Sequence, residues 1–155
     1  MSYDVFIFEP KAAPKDHEAF IEWATAEMER EDGVTAGDPS IVSSDLRAWF
    51  LGMIPHFPAM NGPFAAKELP DDPDALTDYI ITASSIYVAF RGSKTKPAVK
   101  KAFELVERYD LGLYDLSSTK EEVYLLNNRG RLTVAHQQRR TDMLERLRRT
   151  SRRSR

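Results

Sequence analysis

The chain has no cysteine among its 155 residues, and this absence removes several kinds of chemistry. Disulfide bonds, thiolate metal sites and a cysteine nucleophile are all excluded. No apolar run approaches the roughly 20 residues that cross a bilayer, and the first ten residues lack the basic region of a signal peptide. We therefore expect a cytoplasmic protein with no membrane partner.

Recognisable catalytic and cofactor motifs are missing as well. No Gly-rich loop joins a strand to a helix, which argues against nucleotide binding. The three histidines, His17, His56 and His136, lie in different segments without the spacing of zinc ligands. No serine stands in a Gly-x-Ser-x-Gly sequence. We expect no metal, no cofactor and no catalytic residue, hence not an enzyme; a site assembled only by folding is the alternative.

Charge is distributed very unevenly along the chain. Residues 129–155 contain ten arginines and only two acidic residues, a net charge of +8, whereas residues 1–128 contain 12 basic and 22 acidic residues, a net charge of −10. Such asymmetry indicates a charged partner, or a tail that folds back on its own body. We accordingly divide the chain into one acidic domain, 1–128, and an arginine-rich C-terminal extension, 129–155.

Hydrophobic periodicity predicts five strands and three helices. The strands are expected at residues 5–8, 78–82, 86–90, 113–116 and 123–126. The helices are expected to begin at Asp16, at Ser43 or Ser44, and between Ser93 and Pro97. Residues 33–40 are interpreted as a loop. Residues 55–73, which contain five prolines, form a long segment called here the connector.

The resulting order, β-α-α-β-β-α-β-β, contains the split β-α-β-β-α-β pattern of ferredoxin-like folds once one helix and the last strand are set aside. We therefore predict an α+β fold with an antiparallel or mixed five-stranded sheet. Three helices are expected on one face of this sheet, with a basic C-terminal helix or tail. Helices on both faces are the alternative.

Acidic residues are the best candidates for binding a partner. Their excess in the body is larger than solubility requires, and it would attract basic surfaces and speed their association. We predict a non-enzymatic binding protein that neutralises a basic protein partner by occluding its active site. Ordinary acidic solubility is the alternative interpretation. The candidate contacts are Asp71, Asp72, Asp74, Glu27, Glu31 and Asp32.

The arginine-rich extension supports a different function, association with nucleic acid. Arginine binds phosphate well, and basic arms commonly do so. The extension has no aromatic residue to stack on bases, which predicts binding that ignores sequence. Two other interpretations are that the extension binds the acidic body of its own chain, or that it is dispensable. The candidate contacts are Arg139, Arg140, Arg146, Arg148 and Arg149.

Several stretches resemble a family of small, largely uncharacterised bacterial α+β proteins. They are Tyr3–Pro10 ahead of Asp16, Leu46–Phe50 continuing to Phe57–Pro63, Thr77–Tyr79 ahead of Ile86–Phe90, and Leu111–Ser118. The likeness covers roughly residues 3–126 and excludes the tail, and a tryptophan expected near Gly92 is missing. The resemblance implies an immunity or accessory protein of a bacterial toxin system, with a cognate toxin as partner, and it carries over no catalytic motif.

Overall fold

An antiparallel sheet of seven strands forms the centre of the computed structural model, which describes residues 2–138, 147–149 and 151. The strands are β1 (Ser2–Phe8), β2 (Val34–Ala36), β3 (Asp78–Thr82), β4 (Ser85–Arg91), β5 (Gly112–Asp115), β6 (Val123–Leu126) and β7 (Leu132–His136). Their order across the sheet is β2-β3-β4-β1-β5-β6-β7. The helices are α1 (His17–Met28), α2 (Ser44–Met53) and α3 (Thr95–Arg108), and residues 147–149 and 151 are also helical.

Strand β1 lies in the middle of the sheet, paired with β4 on one side and β5 on the other. Its apolar residues occupy both faces because successive side chains of a strand point in opposite directions. Val5 and Ile7 join the hydrophobic core under α2 and α3. Phe6 and Phe8 join a second core under α1. The run of apolar residues therefore requires cover on both sides.

The larger core lies between the sheet and the helix pair α2 and α3. Leu46, Trp49, Phe50 and Met53 form the buried face of α2, and Trp49 donates a hydrogen bond from its ring to the carbonyl of Ala102 on α3 (3.1 Å). Tyr79 of β3 is equally buried, and its hydroxyl donates to the carbonyl of Phe57 (2.7 Å). Each of these buried polar groups thus has a partner, as burial demands.

The smaller core is aromatic and lies under α1. Phe20 and Trp23 pack on Phe8 with ring centroids 4.9 and 5.9 Å apart. Asp16 caps this helix by accepting a hydrogen bond from the backbone N–H of Ala19 (3.1 Å). Ser43 caps α2 in the same way through the N–H of Leu46 (3.4 Å). Both caps agree with the sequence-based boundaries.

The α+β class and an antiparallel sheet are confirmed, but the five-stranded, ferredoxin-like prediction is wrong. The sheet has two further strands, β2 at one edge and β7 at the other. Helix α1 covers the face opposite to α2 and α3. The prediction of helices on one face is therefore wrong, and the alternative of helices on both faces agrees with the structure. The helical residues at 147–149 and 151 come in addition to the three helices predicted for the body.

Neither of the two strands that were not predicted, β2 and β7, has a strong hydrophobic pattern. Residues 33–40, expected to be a loop, contain β2, whose three residues stand between Gly33 and Gly37 and pair with β3. Strand β7 follows the turn at residues 127–130 and pairs with β6. The arginines around it led us to assign it to the basic extension. The sheet consequently extends past residue 128, where the expected domain ended. The division into domain and extension stays a prediction.

No helix among the described residues has the length and apolar character needed to cross a bilayer.

Close packing between β1 and β5 gives the first testable prediction. A Cβ added to Gly112 would lie 2.2 Å from the ring of its cross-strand neighbour Phe8. We expect Gly112→Ala to lower the free energy of unfolding by about 1–3 kcal/mol, the usual cost of overpacking, as measured by urea denaturation. In a Phe8→Leu background the same change should cost less, because the obstructing ring is gone.

Gly130→Ala is the matched control, since a Cβ there meets no atom within 4 Å and only the positive φ of 71° opposes it. Its cost should be the same in both backgrounds. An undiminished cost of Gly112→Ala in the Phe8→Leu background would contradict this packing.

Candidate docking surface

The six acidic candidates do not form one surface, because they fall at opposite ends of β3. Glu31 and Asp32 precede β2, whose Val34 pairs with Thr82 at the end of β3. Asp72 and Asp74 contact Ser93, which follows β4 at the end where Ala89 pairs with Asp78. Because β3 has five residues, its length separates the pair Glu31 and Asp32 from the pair Asp72 and Asp74 by roughly 13 Å or more.

Glu27 is buried and is removed from the set of partner contacts. Only 9% of the residue is exposed, and its carboxylate accepts a hydrogen bond from the hydroxyl of Thr82 (2.7 Å). The guanidinium of Arg30 lies 3.5 Å from its other oxygen. As a candidate contact Glu27 would have to be exposed, but its carboxylate binds Thr82 of β3 instead. Its role in this fold is to join α1 to the sheet.

Asp72 and Asp74 hold the end of the connector against the start of α3. The hydroxyl of Ser93 donates to Asp72 (2.7 Å), and the backbone N–H of Ser93 donates to Asp74 (3.1 Å). The bond from Ser93, followed by the bond from the backbone N–H of Asp74, lowers the pKa of Asp72 below its ordinary value. These two carboxylates therefore have a structural role, because they hold the connector to the start of α3.

Backbone hydrogen bonds fix residues 57–66 of the connector. The N–H of Met60 donates to the carbonyl of Thr77 (2.9 Å), the N–H of Thr77 to Pro58 (2.8 Å), and the N–H of Ala66 to Ala59 (3.0 Å). Gly37 approaches so closely that a Cβ there would lie 2.1 Å from the carbonyl oxygen of Asn61. The connector is therefore attached to the body on both sides of residues 67–71.

Apolar and charged side chains are exposed together on the outside of the connector. Leu69 is 80% exposed, the highest value among the large hydrophobic residues that the structure describes, and Phe64 is 37% exposed. The neighbouring acidic residues Glu68 and Asp71 are exposed too, as is the basic Lys67. We call the four residues Phe64, Glu68, Leu69 and Asp71 the connector surface. Of the six acidic candidates, only Asp71 belongs to it.

Sequence reasoning missed a basic cleft of about 420 Å³ between the end of α2 and α3. Three lysines, Lys94, Lys100 and Lys101, surround it, and none of them forms an ion pair with a described residue. Phe57 contributes an apolar wall, His56 lies beside it, and Glu104 is the one acidic residue of the lining. The sequence already contained the signal, because Lys100 and Lys101 are adjacent on α3 and Lys94 directly precedes this helix. The body is thus acidic overall but basic on this face.

Folding also joins two histidines that lie far apart in the chain. Nδ1 of His17 is 2.8 Å from Nδ1 of His136, and Nε2 of His17 is 3.3 Å from a carboxylate oxygen of Glu121. The signal in the sequence was the position of His17, three residues before Phe20 on the buried side of α1. No group of three potential ligands among the described residues is arranged to hold a metal ion.

The arginine candidates lie only partly within the described residues. Arg148 and Arg149 are exposed on the short helical stretch. Arg139, Arg140 and Arg146 lie outside the described residues.

Comparison with known proteins finds no match to this chain. No protein-family model matches it, no curated protein is significantly similar to it, and no solved structure matches it. The likeness to an immunity-protein family therefore stays a prediction from the sequence.

The attachment of the connector can be tested through the ionisation of Asp72. In the folded protein we expect the carboxyl of Asp72, followed by NMR, to titrate below its ordinary pKa of about 3.9. Ser93→Ala removes the largest cause and should raise the midpoint toward that value. Because the pKa is lowered on folding, the stabilisation from Asp72 is complete above the ordinary pKa and is lost as the pH falls through the folded one.

Ser118→Ala, which removes a hydroxyl bonded to Glu122 and not to Asp72, is the control and should leave the midpoint in place. A midpoint that does not respond to Ser93→Ala would show that the connector is not attached in this way.

Proposed function

We propose that this chain is a non-enzymatic binding protein that docks its connector surface on a basic protein partner and occludes the partner's active site. One observation carries the proposal. The most exposed large apolar side chain among the described residues, Leu69, lies between Glu68 and Asp71 on a segment whose two flanks are held by hydrogen bonds. An immunity-like role toward a cognate toxin fits this chemistry and the resemblance in the sequence.

The two kinds of residue on the connector surface have different roles in binding. Apolar anchors that become desolvated supply most of the affinity at protein interfaces. Charges at the rim mainly steer the partner and raise the association rate. Phe64 and Leu69 are the anchors in this proposal, and Glu68 and Asp71 are the rim.

A fixed surface also loses little entropy on binding. Ordering a loop at an interface costs free energy that subtracts from the affinity. The hydrogen bonds of Asp72 and Asp74 to Ser93, and those between Met60, Thr77 and Pro58, hold the connector on both sides of Leu69 before the partner arrives. Asp72 and Asp74 thus act as positioning residues, while Glu31 and Asp32 form a separate acidic surface at the other end of β3.

The anchors can be separated from the rim by kinetics. With the basic protein that co-purifies with the untagged chain as ligand, we expect Leu69→Ser to weaken binding by about tenfold or more through faster dissociation. Asp71→Asn should instead slow association a few-fold, with the difference disappearing at high salt. Surface plasmon resonance measures both rates.

Glu31→Gln is the matched control, an exposed acid on the separate surface, and it should leave both rates unchanged. The proposal fails if no basic protein co-purifies, or if Leu69→Ser binds like the parent chain.

Association with nucleic acid is the second candidate function. Two observations favour it: Arg148 and Arg149 are exposed, and the three lysines of the basic cleft have no ion-pair partner among the described residues. Both surfaces would bind phosphates through charge alone, with an affinity that falls steeply as salt rises.

Substitution tests this candidate better than truncation after residue 128, which would remove the paired strand β7. The five candidate arginines, Arg139, Arg140, Arg146, Arg148 and Arg149, are changed to glutamine in the full chain. Fluorescence anisotropy with a short DNA duplex should then show weaker binding and a smaller salt slope, by about 0.9 for each phosphate that is no longer neutralised. No binding by the parent chain at low salt, or an unchanged slope, would reject this function.

A further inference from the structure

A β-bulge separates the end of β7 from the rest of that strand. The pairing register between β6 and β7 shifts there, so that Ala135 has no partner on β6. Beyond the bulge, His136 still pairs with β6, and the N–H of Gln138 donates to the carbonyl of Lys120 (2.8 Å). We call residues 135–138 the terminal segment of β7. Since few backbone contacts hold this segment, its attachment depends on its side chains.

The ring of His136 attaches the terminal segment to α1. Its Nδ1 lies 2.8 Å from Nδ1 of His17, the first residue of that helix. Its ring also packs on the ring of Phe20, with centroids 5.3 Å apart. The other ring nitrogen of His17, Nε2, lies 3.3 Å from a carboxylate oxygen of Glu121. The two histidines thus form a link between the end of the sheet and the start of the helix.

This link needs a single proton between the two Nδ1 atoms, because two lone pairs or two N–H groups at this distance repel each other. A neutral pair can supply that proton from either ring. A pair with one positive charge can supply it too, since the cationic ring donates to the neutral one. A doubly charged pair cannot, because an imidazolium has a proton on both nitrogens. The link therefore survives the first protonation, on whichever ring it occurs, and is lost at the second.

The charged groups around the pair permit one positive charge and oppose a second. The carboxylates of Asp16, directly before α1, and of Glu121, directly before β6, favour positive charge, whereas Lys15 opposes it from a cleft that His136 also lines. Burial and then His17 lower the pKa of His136, and Asp16 opposes them in part. The two rings therefore titrate as a coupled pair. The second proton binds below the ordinary histidine pKa of about 6.5.

We propose that His17 and His136 form an acid-sensitive latch, which holds the terminal segment of β7 against α1 near neutral pH and releases it when both rings are protonated. The released segment pivots at the bulge, so the last fixed residue of β7 moves from His136 back to Val134. The regular pairs before the bulge stay intact, which keeps the release local. Acid thus changes how the arginine-rich extension is attached to the body, whatever partner the connector surface binds.

Hydrogen exchange of the full chain measures the release. Because the attached segment binds the second proton more weakly than the released one, its attachment is complete above the ordinary pKa of about 6.5 and is lost as the pH falls through the lower, folded pKa. Lowering the pH from 7 to 5 should favour opening about ten- to thirtyfold. We expect the protection factor of the Gln138 amide, corrected for the intrinsic rate at each pH, to fall by this ratio. The amide of Thr133, which lies before the bulge and pairs with Leu125, should keep its protection.

Removal of one ring separates the latch from a general effect of acid. In His17→Gln the side-chain amide can accept a hydrogen bond from a protonated His136 and carries no charge of its own. We therefore expect the protection of the Gln138 amide in this variant to be nearly independent of pH between 7 and 5. His56→Gln is the matched control, because His56 lies in the basic cleft, and it should respond to acid like the parent chain.

NMR titration of the ring nitrogens in the parent chain gives a readout that does not depend on a variant folding. The two rings should take up their protons in separate steps, and the second step should coincide with the loss of protection at Gln138. Three outcomes would each overturn the proposal. They are unchanged protection of Gln138 at pH 5, an equal loss of protection in His17→Gln, and two rings that titrate independently at the ordinary pKa.

Discussion

The apolar character of β1 on both faces determines how the rest of the molecule is built. Val5 and Ile7 must be covered on one side, and Phe6 and Phe8 on the other. Helices α2 and α3 satisfy the first requirement and α1 the second, so the chain crosses from one face to the other after α1. The connector is a consequence of this path, since it carries the chain from the end of α2 to the start of β3.

Strong local patterns were interpreted correctly from the sequence, and weak ones were not. The helix starts at Asp16 and Ser43 and the bounds of β3 and β6 agree with the structure. Strands β2 and β7 were missed because neither has a hydrophobic periodicity of its own. Strand β2 has only three residues between two glycines, and β7 has five residues with arginines on either side. Pairing with an existing sheet edge creates them, and such a contact is invisible in local sequence.

The candidate sites show the same limit. Sequence identified acidic residues but could not tell which carboxylates have internal partners: Glu27 binds Thr82, and Asp72 and Asp74 bind Ser93. Nor could the sequence indicate that His17 and His136 are in contact, because 119 positions of the chain separate them. Burial and long-range pairing decide whether a charged residue is available, and both require the tertiary structure.

Hydrogen exchange of the free protein would show whether the connector presents a prearranged surface, on which the proposed docking depends. We expect slow exchange for the amides of Met60, Ala66 and Thr77, which donate to backbone carbonyls, at rates near those of β3 and β4. Exchange at the rate of an unprotected chain would refute this, because a loosely held connector could not act as a preformed docking surface.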